Sequence, residues 1–222
     1  MFRIGALLGR PKRSTSTALR TTDGTPYSPI REDEIVGVLS AIRTALPQKR
    51  WCTLGVISTL PGEGTSSVAT ALANAAANNP RTKVLLCKVP KETWAPQQQS
   101  SPAPFIFMET INTGRSDRLI KGRLNGLHAV SDDAGAQKSI MRSLTSQFDL
   151  VIVDLPPVSE STLAQSLTRG LDGVVLVVEA ERTRAHALRA ARRSIESSGG
   201  NIVGVVLNKR RLHIPQFIYR RL

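Results

Sequence analysis

The stretch from Cys52 to Asn78 constrains this chain more than any other part of it. Cys52 to Ser58 (CTLGVIS) is an apolar run of strand length, and Leu60-Pro61-Gly62-Glu63-Gly64 is a glycine-rich turn. An alanine-rich segment of helical composition then runs from about Thr65 to Asn78. A buried strand that turns sharply into a helix leaves backbone N–H groups pointing into the turn, where the helix N-terminus adds positive potential; this is an anion site. A phosphate-binding loop adds a lysine for the outer phosphates and a Ser or Thr for magnesium. Here Ser58 to Ser67 (STLPGEGTSS) supplies the glycines and the hydroxyls, but Thr65 stands at the lysine position.

That loss bears directly on chemistry. Phosphoryl transfer depends mainly on positioning and on offsetting charge at the transferred group. Losing one such group costs about 2.7–4 kcal/mol of barrier, by analogy with an oxyanion-hole donor. The expected residual nucleotide cradle is Gly62, Glu63, Gly64, Thr65, Ser66 and Ser67. Asp154 ends the apolar strand Leu150-Val151-Ile152-Val153 and, with Ser66, forms the candidate magnesium pair. A second carboxylate is expected after the strand Val84 to Cys87, but Lys88-Val89-Pro90 stands there. The expected cofactors are ATP or ADP with magnesium, the alternative being no cofactor at all. No residue is assigned a catalytic role.

Further strands are read at 126–130, 173–178 (GVVLVV) and 202–207 (IVGVVL), and helices at 32–46, 137–146 and 183–198. Residues 105–120 are weakly patterned and read as part helix. Strands alternating with helices imply right-handed crossovers and a parallel sheet. The expected fold class is α/β, a three-layer sandwich with a mostly parallel central sheet. Aromatic residues make up only 4 %, so the core is aliphatic. The expected organisation is a disordered basic arm over 1–30, one domain over 31–222, and a flexible loop at about 92–104 rich in Pro and Gln. Cys52 and Cys87 read as buried free thiols.

Net charge is +13. Residues 1–31 hold six Lys and Arg against one Asp, and residues 181–222 hold ten against two Glu. Such ends attract anionic lipid or acidic partners. Specific nucleic-acid binding is disfavoured, because stacking aromatics are scarce and no helix-turn-helix or zinc-finger spacing is present. No apolar run reaches the roughly 18 residues needed to span a bilayer, and the start lacks a secretion signal. The expected location is the cytoplasm, at the inner membrane surface if the basic ends engage lipid.

Four segments together resemble the cytoplasmic domains of bacterial tyrosine kinases, in the MinD/ParA-like branch of P-loop NTPases. They are ISTLPGEGTSSVATALA, FDLVIVDLPPV, LDGVVLVVEAERTR and GVVLNKRRLHIPQFIYRRL. The resemblance covers about residues 32–222. It implies that Asn208 lies near the nucleotide base and that Ser66 and Asp154 match magnesium positions. It also implies a partner, the cytoplasmic tail of a membrane polysaccharide co-polymerase (chain-length determinant), and assembly with further copies of the chain. The departures are specific. Relatives carry Lys at Thr65 and two Asp where this chain has Lys88 and Pro90. Active kinases end in a tyrosine cluster, whereas here Tyr219 stands alone near the end. Of the ring-forming pattern on the first helix only Arg43 matches, with Gly37 and Ser40 at the other positions.

Three functions follow. The first is a pseudo-kinase-like partner of a co-polymerase in capsule, exopolysaccharide or holdfast biosynthesis and export. The second is an active ATP-dependent tyrosine autokinase or ATPase. The third is a MinD/ParA-like positioning protein, opposed by the absence of lysine at Leu60 and Thr65.

Overall fold

The computed structural model describes residues 30, 32–46, 52–90, 106–107, 118–124 and 132–210. Its strands are β1 (Cys52–Ser58), β2 (Val84–Lys88), β3 (Ile106–Phe107), β4 (Leu119–Leu124), β5 (Leu150–Asp154), β6 (Gly173–Glu179) and β7 (Ile202–Asn208). The helices are α1 (Glu32–Ala45), α2 (Thr65–Ala77), α3 (Ala134–Thr145), α4 (Thr162–Leu167) and α5 (Ala185–Ser197). One sheet runs in the order β3-β4-β2-β5-β1-β6-β7. Its six longer strands are all parallel, and β3 pairs antiparallel to β4 at the edge. The α/β class and the mostly parallel sheet expected from the sequence are therefore present.

Alternation along the strands divides the core into two layers. Leu54, Val56, Ile152, Val175 and Val177 pack against Ile35 and Ile42 of α1 and against Val68, Leu72 and Ala76 of α2. Ile57, Val151, Val153, Val174 and Leu176 face Met141 and Leu144 of α3, Leu163 of α4 and Ile195 of α5. Four of the six alanines of α2 (Ala69, Ala73, Ala76 and Ala77) are buried, so small side chains let this helix lie close to the sheet. Both faces of the central strands are covered, which is why they read as continuous apolar runs rather than alternating ones. The basic character of α5 sits on its outer face. Only Ala191 and Ile195 are buried there, while Arg189, Arg192 and Arg193 are exposed.

Two elements differ from the sequence reading. Within 105–120 the described residues are the strand pairs 106–107 and 119–120 and a turn at Arg118, the rest lying outside the described residues, and the second neighbour of β2 is β4 at 119–124. Its run Leu-Ile-Lys-Gly-Arg-Leu has a polar centre, which hides the strand pattern. Helix α4 is too short, at six residues, to show a period; Ser161 caps it by accepting from the N–H of Ala164 at 3.0 Å. The strand expected at 126–130, the arm up to residue 29, the loop at 92–104 and Tyr219 all lie outside the described residues. Cys87 is a buried free thiol whose burial pushes its pKa up to about 12, and Cys52 is half-buried and not part of a disulfide. Among the described residues no helix is long and apolar enough to cross a membrane.

Leu72 is fully buried in the layer between α2 and the sheet. Leu72→Ala is expected to cost about 2–5 kcal/mol in urea unfolding. Arg192→Gln, which breaks only an exposed pair with Glu196, should stay within about 0.5 kcal/mol of the parent. A loss below about 1 kcal/mol for Leu72→Ala would contradict this packing.

Candidate functional site

Strand β1 lies between β5 and β6 at the centre of the sheet, and its C-terminal end opens into the glycine-rich turn. Gly62 (φ +83°) and Gly64 (φ +97°) both adopt left-handed backbone, which a side chain makes costly. At Gly64 space is short as well, since a Cβ would lie 2.2 Å from Asn208 Nδ2. Gly64 caps α2 without any side-chain help. The N–H groups of Thr65, Ser66 and Ser67 have no carbonyl one turn back to receive them, and so remain available to a ligand. The first helical bond runs from Val68 N to Gly64 O at 3.0 Å.

The turn holds its shape through its own side chains. Glu63 is fully buried, and its carboxylate accepts from the N–H groups of Thr59 (2.8 Å) and Leu60 (2.9 Å) and from the hydroxyl of Thr183. Asn208, at the end of β7, donates from Nδ2 to the carbonyl of Glu63 at 2.9 Å. Glu179, at the end of β6, is 4 % exposed and pairs with both Arg182 (2.9 Å) and Lys209 (3.1 Å). Lys209 also donates to the carbonyl of Gly62 at 2.6 Å. This lattice ties the turn to the ends of β6 and β7.

In front of the turn lies a cavity of about 450 Å³. Gly62, Gly64, Thr65, Ser66 and Ser67 line it, together with Ser58, Lys88 and Asp154. The side chain of Glu63 does not line it, because it turns back into the loop, and Asn208 stands behind the loop rather than in the cavity. Of the seven residues expected to hold nucleotide, five therefore meet at one surface and two brace it from behind. Ser66 Oγ donates to Asp154 Oδ2 at 2.7 Å, so the two residues expected at magnesium are brought together. Burial pushes the Asp154 carboxyl above its ordinary value, and the Ser66 hydrogen bond and the nearby Lys88 charge partly offset this.

The donor set suits a phosphate ligand. Ser58 is 1 % exposed, its Oγ has no protein partner, and it lines the cavity. A buried hydroxyl left without a partner costs about 1–3 kcal/mol, which a ligand atom at this position would recover. For magnesium, one carboxylate and one hydroxyl match an ion that keeps several waters and binds partly through substrate phosphates. No group of three or more His, Cys, Asp or Glu suited to a metal occurs among the described residues. The sequence reading missed Glu179, Arg182, Thr183 and Lys209. The only signal for the first three was their place in LDGVVLVVEAERTR, and Lys209 stood beside Asn208.

A strand, a glycine-rich turn and a helix N-terminus lie at the C-terminal edge of a parallel sheet, and this is the fold of P-loop NTPases of the MinD/ParA-like kind. Bacterial tyrosine kinases are among its homologues, and its fold is that of their kinase domains. Tyrosine-protein kinase CpsD of Streptococcus agalactiae is 31 % identical over 70 residues, which are 32 % of this chain and 31 % of CpsD. The chain thus matches about a third of the length of this curated relative. The kinase domain of the Escherichia coli tyrosine kinase ETK superposes with a TM-score of 0.63 at 19 % identity, covering 83 % of this chain and 78 % of that one. The ATP complex of McdA from Cyanothece superposes with a TM-score of 0.50 at 19 % identity, covering 72 % and 70 %. No family profile matches the chain.

Two expectations follow. Asp154 binds its proton more tightly folded than unfolded, so it stabilises most below its unfolded pKa of about 3.8, and that stabilisation fades as pH rises through the folded value. Asp154→Asn should therefore melt higher than the parent near pH 7, with a smaller gap near pH 4; a gap that grows towards acid would refute the burial argument. Gly64→Ala meets both a left-handed φ and a 2.2 Å approach to Asn208, and should cost at least about 2 kcal/mol in chemical unfolding.

Proposed function

We propose that this chain is a P-loop partner protein that holds nucleotide without efficient phosphoryl transfer, and that it acts with a membrane polysaccharide co-polymerase in capsule, exopolysaccharide or holdfast export. The observation that carries this reading is the cavity itself. It retains the glycine turn, the helix N-terminus and the Ser66–Asp154 pair, yet it has Thr65 at the lysine position and Lys88 where a carboxylate would handle an acceptor hydroxyl. ATP or ADP would lie with its phosphates against Gly62 to Ser67, and bound magnesium would screen phosphate charge from Ser66 and Asp154. The partnership with a co-polymerase tail rests on resemblance to kinases that work beside such proteins. A location at the inner membrane surface rests on the excess of positive charge at both ends of the chain.

A second reading is an active autokinase or ATPase, and it draws on the intact Ser66–Asp154 pair. It requires phosphate release or phosphotyrosine above the background of Asp154→Ala. Equal rates in the two proteins remove it.

The cradle is tested by calorimetric titration with ATP and ADP, with and without magnesium. Binding tighter than about 100 μM, roughly 5.5 kcal/mol, is expected. Thr65→Lys, which restores the cation at the start of α2, should tighten ATP binding at least tenfold. Absence of nucleotide binding by both proteins at millimolar ligand would end this reading. Co-purification of the chain with a co-polymerase cytoplasmic tail tests the partnership.

A further inference from the structure

Beside the P-loop cavity lies a second cleft, of about 220 Å³, between the start of α2 and the ends of β2 and β4. It is lined by Ser66, Thr70, Lys88, Lys121, Arg123 and Asp154 among others. Strand register explains the cluster. Leu86 stands opposite Lys121, and Lys88 opposite Arg123. Parallel partners share a face, and residues two apart on one strand share it too. Lys88, Lys121 and Arg123 are thereby gathered on the face where Leu86 packs toward α2. Gly122 between the two β4 cations adds no side chain of its own.

The charge of this cleft is one-sided. Asp154 is its one carboxylate among the lining residues, and that group already accepts from Ser66. Among the described residues no carboxylate lies within ion-pair distance of Lys88, Lys121 or Arg123. Cations spread over a convex surface need only solvent, but these three converge on a concavity and repel one another there. Ser66, Lys88 and Asp154 line both cavities, so the cleft continues from the P-loop. It also sits outside the carboxyl ends of parallel strands, where open α/β sheets bind ligands.

We propose that this cleft is a second phosphate subsite, in which Arg123, Lys121 and Lys88 hold a phosphate dianion next to the P-loop ligand. The Arg123 guanidinium offers a planar fork to two oxygens, the lysines act as point charges, and the Thr70 hydroxyl supplies a further donor. The phosphate has two chemical sources, the terminal group of a nucleotide seated in the P-loop and a free phosphate. Only the first source rests on the nucleotide-binding reading above.

The test is calorimetric titration of the full chain at low salt with ATP, ADP and inorganic phosphate. Three proteins are compared: the parent, the double variant Lys121→Gln/Arg123→Gln, and Ser67→Glu. Lys121 is half-buried and Arg123 exposed, so glutamine at both leaves the core intact, and equal melting temperatures verify it. Ser67 lines the P-loop cavity but not the cleft, and glutamate there places a negative charge where nucleotide phosphates would lie. The expected result is at least a tenfold loss for the double variant. If that loss falls on ATP with ADP unchanged, the occupant is the terminal phosphate of a nucleotide. If it falls on inorganic phosphate and that binding survives Ser67→Glu, the occupant is free phosphate. Phosphate binding that is lost in the double variant, in a chain that takes up no nucleotide, leaves the subsite standing while the nucleotide reading fails. Equal affinities of parent and double variant for all three ligands overturn the proposal, as does a parent that binds none of them.

Discussion

Parallel strands end together, and this constraint places every group of interest in this fold. Because β4, β2, β5 and β1 run the same way, their carboxyl ends release side chains at a common edge. Register then aligns them, with Arg123 opposite Lys88, Lys88 opposite Asp154, and Asp154 opposite Val56, two residues before the P-loop begins. No loop has to fold back to bring these charges together. The hydrogen-bond ladders do it, and burial of both sheet faces fixes the ladders, since a one-residue slip would turn each strand's core side chains to the wrong face.

The loop at that edge is held independently of any ligand. In many phosphate-binding turns the ligand completes the hydrogen bonding of the backbone. Here the fully buried Glu63 receives two N–H groups and the Thr183 hydroxyl, and Asn208 secures the carbonyl of the same residue. A buried carboxylate is stable only when its lone pairs are used, and these are. The arrangement is pre-organised, so little ordering cost remains to be met when an anion arrives. The turn thus keeps its shape with Thr65 at the lysine position, because Glu63 and Asn208 hold it.

How much of this was legible in the sequence follows from range and pattern. Strands β1, β5 and β6 are buried on both faces and read directly as apolar runs. Helix α2 read from its alanines, and the Ser66–Asp154 pairing from motif positions. Strand β4 did not read as a strand, because the cations of its cleft interrupt the apolar pattern. The lattice of Glu179, Arg182, Thr183 and Lys209 behind the P-loop was equally hidden, since the contact between Lys209 and Gly62 spans 147 positions and no local pattern encodes it. Lys88 was visible as a departure, but that it shares a cavity with Ser66 and Asp154 emerges only once β2 and β5 are placed side by side. The sequence reading also put Glu63 on the ligand side, because a motif gives positions and not the direction of a side chain.

The sign of the charge at the edge carries the remaining argument. To transfer a phosphoryl group, a site must place cations on the leaving phosphates and a proton acceptor on the incoming hydroxyl. This edge offers Lys88, Lys121 and Arg123 beside a single carboxylate that is engaged by Ser66. Cations in this number strengthen ground-state binding of a phosphate, whereas only interactions that grow in the transition state raise turnover. Among the described residues along the row from Arg123 to Asp154, the one carboxylate accepts from Ser66, and a charged lysine has no free lone pair. In the function proposed above, such an edge holds phosphate rather than transfers it.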